Sequence, residues 1–287
     1  MPRPHMPRPR MRYRFKDGKP RYSLPRPHVN IILRSIHPSR LADHYYDTLR
    51  DDAMYMTYNH QFRPHQPPRE PNMKYDPEDP YTKNRRNVPR GGIQVGRKPS
   101  PPSTTDNVIR LEKIALHTMV KEATSNRSHL LSAIMAFRAL SGETNQGGGL
   151  RHREGVQIVK GRKTEGGWIR PGLPVGVKVE MTGDRMYEFL GSLVQFVLPR
   201  LREFSGVEMP PQRRSQQTPS GVSGVVSFGL PPNAMGLFPQ IEVNLDSYPR
   251  VHGLHMHFIT NARGQGAQAR ARTLLSGFQI PFIRSTH

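Results

Sequence analysis

Cysteine is absent from all 287 residues. That removes disulfides, thiolate zinc sites and cysteine nucleophiles together, and it suits a reducing compartment. Tryptophan occurs once, at Trp168. Acidic side chains are scarce, with 22 Asp+Glu against 43 Lys+Arg. No long apolar run is present and no basic amphipathic helix, so an anionic membrane surface is a weak partner. The motifs GxSxG, GxxxxGK[ST] and HExxH are missing, which leaves serine-hydrolase, P-loop and zincin chemistry without support. Apolar residues make up only 34%. The 29 prolines lie mostly in the first 105 residues and deny regular helix there.

What is abundant is positive charge. The formal net charge is +21 and the sequence pI is about 10.9. Such a surplus destabilises a compact state by self-repulsion unless a polyanion neutralises it. Nucleic acid is the polyanion that fits, because phosphate neutralisation with counterion release dominates its binding. A protein docked on folded RNA, a free-standing RNA-binding regulator and an RNA-directed enzyme are the classes in play. The enzyme reading has the least behind it. Asp43 with Asp47, and Asp51 with Asp52, read as exposed helix charges rather than an acid/base pair.

Residues 1–40 are rich in Pro and Arg, and Asp17 is the only acid among them. Too apolar-poor for a core of its own, this segment reads as an extended arm that orders on a partner, with Arg8, Arg10, Arg12 and Arg14 as docking cations. An Arg-rich, acid-poor start also fits an organelle-targeting segment. Residues 41–59 predict a short helix with Leu41, Tyr45, Leu49 and Ala53 near one face. Residues 60–103 return to Pro, Asn, Arg and Gly and read as a linker or a surface-wrapping insertion.

Regular structure resumes over 104–287. A strand is expected over 108–118. A helix follows, capped by Ser125 or Asn126, with Leu130, Leu131, Ile134 and Phe137 on its apolar stripe and Gly142 at its end. Val156–Val159 and Val175–Met181 predict strands. After a turn at Gly183-Asp184, Met186, Phe189, Leu190, Leu193, Val194, Val197 and Leu201 recur at the spacing of one long amphipathic helix, bent or ended by Pro199. Residues 208–221 break the pattern as a second insertion. Strand signals recur at Val225–Phe228, at Ile241, Val243 and Leu245, and at Leu254, Met256 and Phe258. A last helix is expected near Ala267–Phe278. Without a βαβ repeat, the class is α+β: a largely antiparallel sheet packed against helices, with an extended basic N-terminal arm and insertions.

The loop Lys160–Arg170 carries the best case for a site. Lys160, Arg162, Lys163 and Arg170 can reach phosphates, Gly161, Gly166 and Gly167 permit close backbone approach, and Trp168 can stack on a base or sit in the core. Arg200 and Arg202 flank the bend at Pro199, where they contact RNA or sit on a solvated helix end. Arg263 precedes the last helix, beside free backbone N–H groups. Gly264-Gln265-Gly266 is an incomplete dinucleotide fingerprint, since Ala269 replaces the third glycine. His255 and His257 share a strand face near His252. A metal there lacks a neighbouring Cys or carboxylate, and polar strand-face histidines are the simpler reading. No metal or cofactor is expected.

Several words of the sequence are longer than any of these motifs: RLEKIALHTMV (110–120), LSG (140–142), PVGVKVEMTGDRMYEFL (174–190), LPRLREFSG (198–206), FPQIEV (238–243) and GFQIPF (277–282). In this order they resemble the L-five family of large-subunit ribosomal proteins, across 41–58 and 104–287. The resemblance implies an antiparallel sheet packed on helices and a place in the central protuberance. It further implies partners: large-subunit rRNA (usually 5S rRNA), neighbouring large-subunit proteins, a small-subunit head protein across a bridge, and the elbow of P-site tRNA. By chain order the family's tRNA-facing loop corresponds to the segment with Lys160, Arg162, Lys163 and Arg170, although the spacing around Trp168 differs. Compact bacterial relatives lack the arm and the Pro-rich insertion. Those additions resemble mitochondrial ribosomal proteins, particularly fungal ones, some of whose ribosomes hold no 5S rRNA.

Overall fold

The structure, a computed structural model, describes residues 39–58, 101–142, 155–167, 169–202, 204–209 and 219–284, with a few isolated positions before residue 82. The chain divides into two units, 1–37 and 38–287. In the first, β1 (Phe15–Lys16) pairs antiparallel with β2 (Lys19–Pro20). Arg8, Arg10, Arg12 and Arg14 lie outside the described residues.

The second unit is α+β, with one five-stranded sheet backed by helices. The sheet runs β4 (Gln157–Lys160), β5 (Pro174–Met181), β3 (Leu111–Met119), β8 (Leu254–Thr260), β7 (Val225–Leu230), every neighbour antiparallel. Period-2 alternation gives the sheet its two faces. Leu111, Ile114, Leu116, Val175, Val177, Val179, Met181, Leu254, Met256 and Phe258 are buried on the inner face. Two threonines share that side, and each hydroxyl has a partner: Thr118 donates to the Gly253 carbonyl (2.7 Å) and Thr260 to the Gly224 carbonyl (2.7 Å). A buried hydroxyl without one would cost about 1–3 kcal/mol.

Helix α3 (Ser128–Ser141) packs on β5, and α4 (Asp184–Ser192) lies against it. The N-cap of α3 is Arg127, without a side-chain cap bond, and neither Ser125 nor Asn126 holds that place; the Asn126 side-chain carbonyl instead accepts from the backbone N–H of Ser128 (3.0 Å) and from its hydroxyl (2.8 Å). Leu130, Ala133, Ala136, Phe137 and Leu140 face the core, whereas Leu131 is 58% exposed, off the expected stripe.

The long helix expected after Gly183 comes in three pieces. It begins as α4, widens into a π turn at Leu193–Val197 and tightens to a 3-10 turn at Leu198–Arg200. Pro199 supplies the reason, having no N–H to donate and a ring that clashes with the preceding turn. Met186, Phe189, Leu190, Leu193, Val194 and Val197 are buried as their spacing requires, and Leu201 packs at the edge.

The N-terminal helix of this unit is likewise jointed. It runs α1 (Arg40–His44), a π turn (Tyr45–Leu49) and α2 (Arg50–Thr57). Leu41 and Tyr45 are buried, with Leu49 and Ala53 packed beside them. Tyr45 donates to the Ile109 carbonyl (2.8 Å), tying helix to sheet. Helix α5 (Ala267–Gly277) covers β7 and touches α2.

Two expectations change. The alternation of Ile241, Val243 and Leu245 is not a strand: Pro239–Glu242 forms a single helical turn and Leu245–Ser247 a 3-10 turn, leaving Ile241 buried and Val243 89% exposed. Pro239 is the cause, its fixed φ suiting a first helical position. The chain from 208 is not patternless at once, because β6 (Val207–Met209) pairs in parallel with β9 (Phe282–Arg284) near the C-terminus.

Candidate RNA interface

The basic loop is a built hairpin. At its neck Gly161 N–H donates to the Leu173 carbonyl (2.9 Å) and Gly172 N–H to the Gly161 carbonyl (2.9 Å). A second rung joins Glu165 and Ile169 by two reciprocal backbone bonds of 3.2 Å. Gly166 and Gly167, with φ of 57° and 74°, turn the tip. Gly161 also permits a close approach, since a Cβ there would stand 2.8 Å from Ile169 Cγ2 and 3.0 Å from the Arg170 carbonyl.

From this frame Lys160, Arg162, Lys163 and Arg170 project into solvent. None of the four side chains has a hydrogen bond or ion pair to a described residue. Cations held on a pinned hairpin, with no counterion among the described residues, are available to an external polyanion. Trp168 lies outside the described residues.

The other expected cations separate. Arg200 is occupied: its guanidinium makes a two-pronged pair with Glu242 (Nη1 to Oε2 2.7 Å, Nη2 to Oε1 2.7 Å) and a longer bond to the Leu237 carbonyl (3.5 Å). The partner lies 42 residues on, which a local reading of LPRLR had no means to see. The hydrogen bond to Glu242 raises the arginine's pKa above its ordinary value, and the same bond lowers that of the glutamate. Arg202 and Arg263 are exposed. The Arg263 carbonyl is fixed by Arg270 Nη2 (2.8 Å), and burial lowers the pKa of that second arginine.

The outer face of the sheet holds groups that the sequence reading did not assemble. Strand register sets Lys178 beside His117, and His117 beside His255. His257 Nε2 meets His117 Nδ1 at 3.2 Å, and the His117 ring lies 5.0 Å from that of His255. Burial, then the neighbouring imidazoles, lowers the pKa of His117; burial, then His255, does the same for His257. Lys113 and Lys178 flank Glu180 at 2.8 and 3.9 Å, two ammonium groups sharing one carboxylate. Polar period-2 positions in 113–117, 178–180 and 255–257 were the available signal, but only strand order joins them. His252 stands apart and buried, its Nε2 without a partner among the described residues, and burial lowers its pKa. Among the described residues no group of three His, Asp or Glu is arranged to hold a metal.

The described residues form an α+β protein: an antiparallel sheet backed by helices, with a pinned hairpin whose cations have no partner among the described residues. A family model for the C-terminus of the ribosomal L5 family matches residues 174–282. The "Large ribosomal subunit protein uL5m" of Schizosaccharomyces pombe is 34% identical over 236 residues, covering 78% of this chain and 74% of the relative. The uL5m of Reclinomonas americana is 30% identical over 175 residues, covering 61% and 83%. A bacterial relative, the uL5 of Idiomarina loihiensis, is 30% identical over 175 residues, covering 61% and 84%. The chain belongs to the ribosomal L5 family.

Proposed function

We propose that this chain, a structural and non-enzymatic constituent of the mitochondrial large ribosomal subunit, binds rRNA in the central protuberance and places the hairpin 160–173 near P-site tRNA. Family membership supports the ribosomal role, and the mitochondrial relatives support the compartment. The observation that carries the finer reading is the hairpin itself, with a rigid backbone frame and four cations left unpaired by the described protein. A frame of this kind loses little backbone entropy on meeting phosphate, so the ordering cost is confined to the side chains. Arg202 and Arg263 extend the basic surface, the arm with Arg8, Arg10, Arg12 and Arg14 neutralises further rRNA phosphate, and Trp168 stacks on a nucleotide. Other large-subunit proteins and a small-subunit head protein complete the set of partners. Whether the rRNA is 5S or another segment depends on the particle.

The test is neutralisation of Lys160, Arg162, Lys163 and Arg170 together. Four lost phosphate contacts lower the slope of log K against log salt by about 3, taking roughly 0.7 per contact on single-stranded RNA. Large subunits carrying this variant are expected to assemble and to translate poorly. Failed assembly makes the hairpin an rRNA anchor instead. A wild-type chain that never sediments with the large subunit overturns the whole reading.

A further inference from the structure

The helix from Arg40 to Thr57 carries a surface of the opposite character to the rest of the chain. Asp43, Asp47, Asp51 and Asp52 are all exposed, and none has an ion pair to a described residue. Two arginines, Arg40 and Arg50, lie on the same stretch, and Arg50 donates to the Thr105 carbonyl (3.4 Å). On a chain of net charge +21 this is an electronegative island. Large apolar side chains stand in it: Tyr46 is 61% exposed, Tyr55 87% and Met56 72%. Beside them runs a groove of about 320 Å³ between α2 and α5, lined by Leu49, Asp52, Ala53, Met56, Arg272 and Leu274.

Each property removes a class of occupant. Four carboxylates against two arginines within one helix, none of them ion-paired to a described residue, disfavour phosphate and an anionic lipid surface. Exposed tyrosine and methionine beside a largely apolar groove are the composition of a polypeptide interface core, where aromatic residues and methionine are enriched. The charge then fixes the sign of the partner. We infer that this helix face and groove dock a lysine- or arginine-rich segment of a neighbouring protein, with an apolar anchor seated between α2 and α5 and its cations on Asp51 and Asp52. The inference rests on the ribosomal reading for its setting, because a particle held together by rRNA supplies basic protein tails as neighbours. Within that setting it divides the molecule: hairpin and arm toward RNA, the N-terminal helix toward protein.

A benzophenone amino acid replacing Tyr55 tests this in assembled large subunits, since that side chain is exposed and its loss leaves the core intact. The expected photoproduct joins position 55 to a Lys/Arg-rich peptide of another protein. Adding Asp51→Lys and Asp52→Lys should cut its yield about tenfold, with the chain still incorporated. Met56→Glu, which puts a further charge into the groove lining, should cut it as well. A photoproduct with rRNA, one with the chain's own arm or insertion, or none at all in fully incorporated chains overturns the inference. So does a heteroprotein photoproduct indifferent to the charge reversals. Absence of the wild-type chain from large subunits would instead defeat the ribosomal reading, and the sedimentation profile separates the two failures.

Discussion

Tyr45→Phe probes how the N-terminal helix is held to the body. The Tyr45 side chain is 3% exposed, its ring centroid lies 6.3 Å from that of Phe278, and its hydroxyl donates to the Ile109 carbonyl at 2.8 Å. Burial raises the phenol's pKa, so the group is a neutral donor across the physiological range. Removing the hydroxyl deletes one hydrogen bond and takes a donor from a carbonyl on a residue that is itself 5% exposed. The expected loss is about 1–2 kcal/mol. Tyr45→Ala removes the ring too and should cost about 3–5 kcal/mol. Urea titration of the full chain reads both, and hydrogen exchange over 41–57 reports whether the helix loosens locally or the body unfolds as one. For a body of this size, about 1 kcal/mol lowers Tm by roughly 2–4 °C. If Tyr45→Phe falls within about 0.3 kcal/mol of wild type while Tyr45→Ala is severe, ring packing alone fastens the helix and the hydrogen-bond argument fails.

Arg200→Ala should leave the salt slope of RNA binding unchanged, because its guanidinium already serves Glu242, whereas Arg162→Ala should lower the slope by about 0.7. Gly224→Ala should destabilise by about 2 kcal/mol or more in the same urea assay. The residue has φ +65°, a Cβ there collides with the Ala262 carbonyl, and the shift would break the Thr260–Gly224 hydrogen bond. His117, His252 and His257 all have pKa values lowered on folding, so the unfolded chain binds more protons below their usual value near 6.5. Stability is therefore full above about pH 6.5 and falls as the solution is acidified through the folded-state values. A urea midpoint that is flat or rising from pH 7 to 5 would contradict this sign.

The long regular segments were legible because their burial comes from local periodicity. The alternation in β3, β5 and β8 and the spacing from Met186 to Val197 each name a buried face before any partner is known. The same logic misled at Ile241–Leu245, where two-residue spacing was chance and Pro239 set a helical turn. It also placed Leu131 on the core stripe of α3, where the groove beside β4 leaves it exposed. The parallel pair β6–β9 left no trace, because three-residue strands 75 positions apart are specified by each other and not by pattern.

Sequence by itself determined the charge surplus, the α+β class, the family and the cationic segment around Lys160. Composition and local spacing are one-dimensional properties and survive without coordinates. Tertiary structure decided which cations are free. It gave Arg200 to Glu242, left the hairpin cations without a partner among the described residues, gathered His117 with His255 and His257, and set an acidic, aromatic helix beside a groove. Pairing and exposure depend on distance in space, and that is fixed only when strand order and helix packing bring remote residues together.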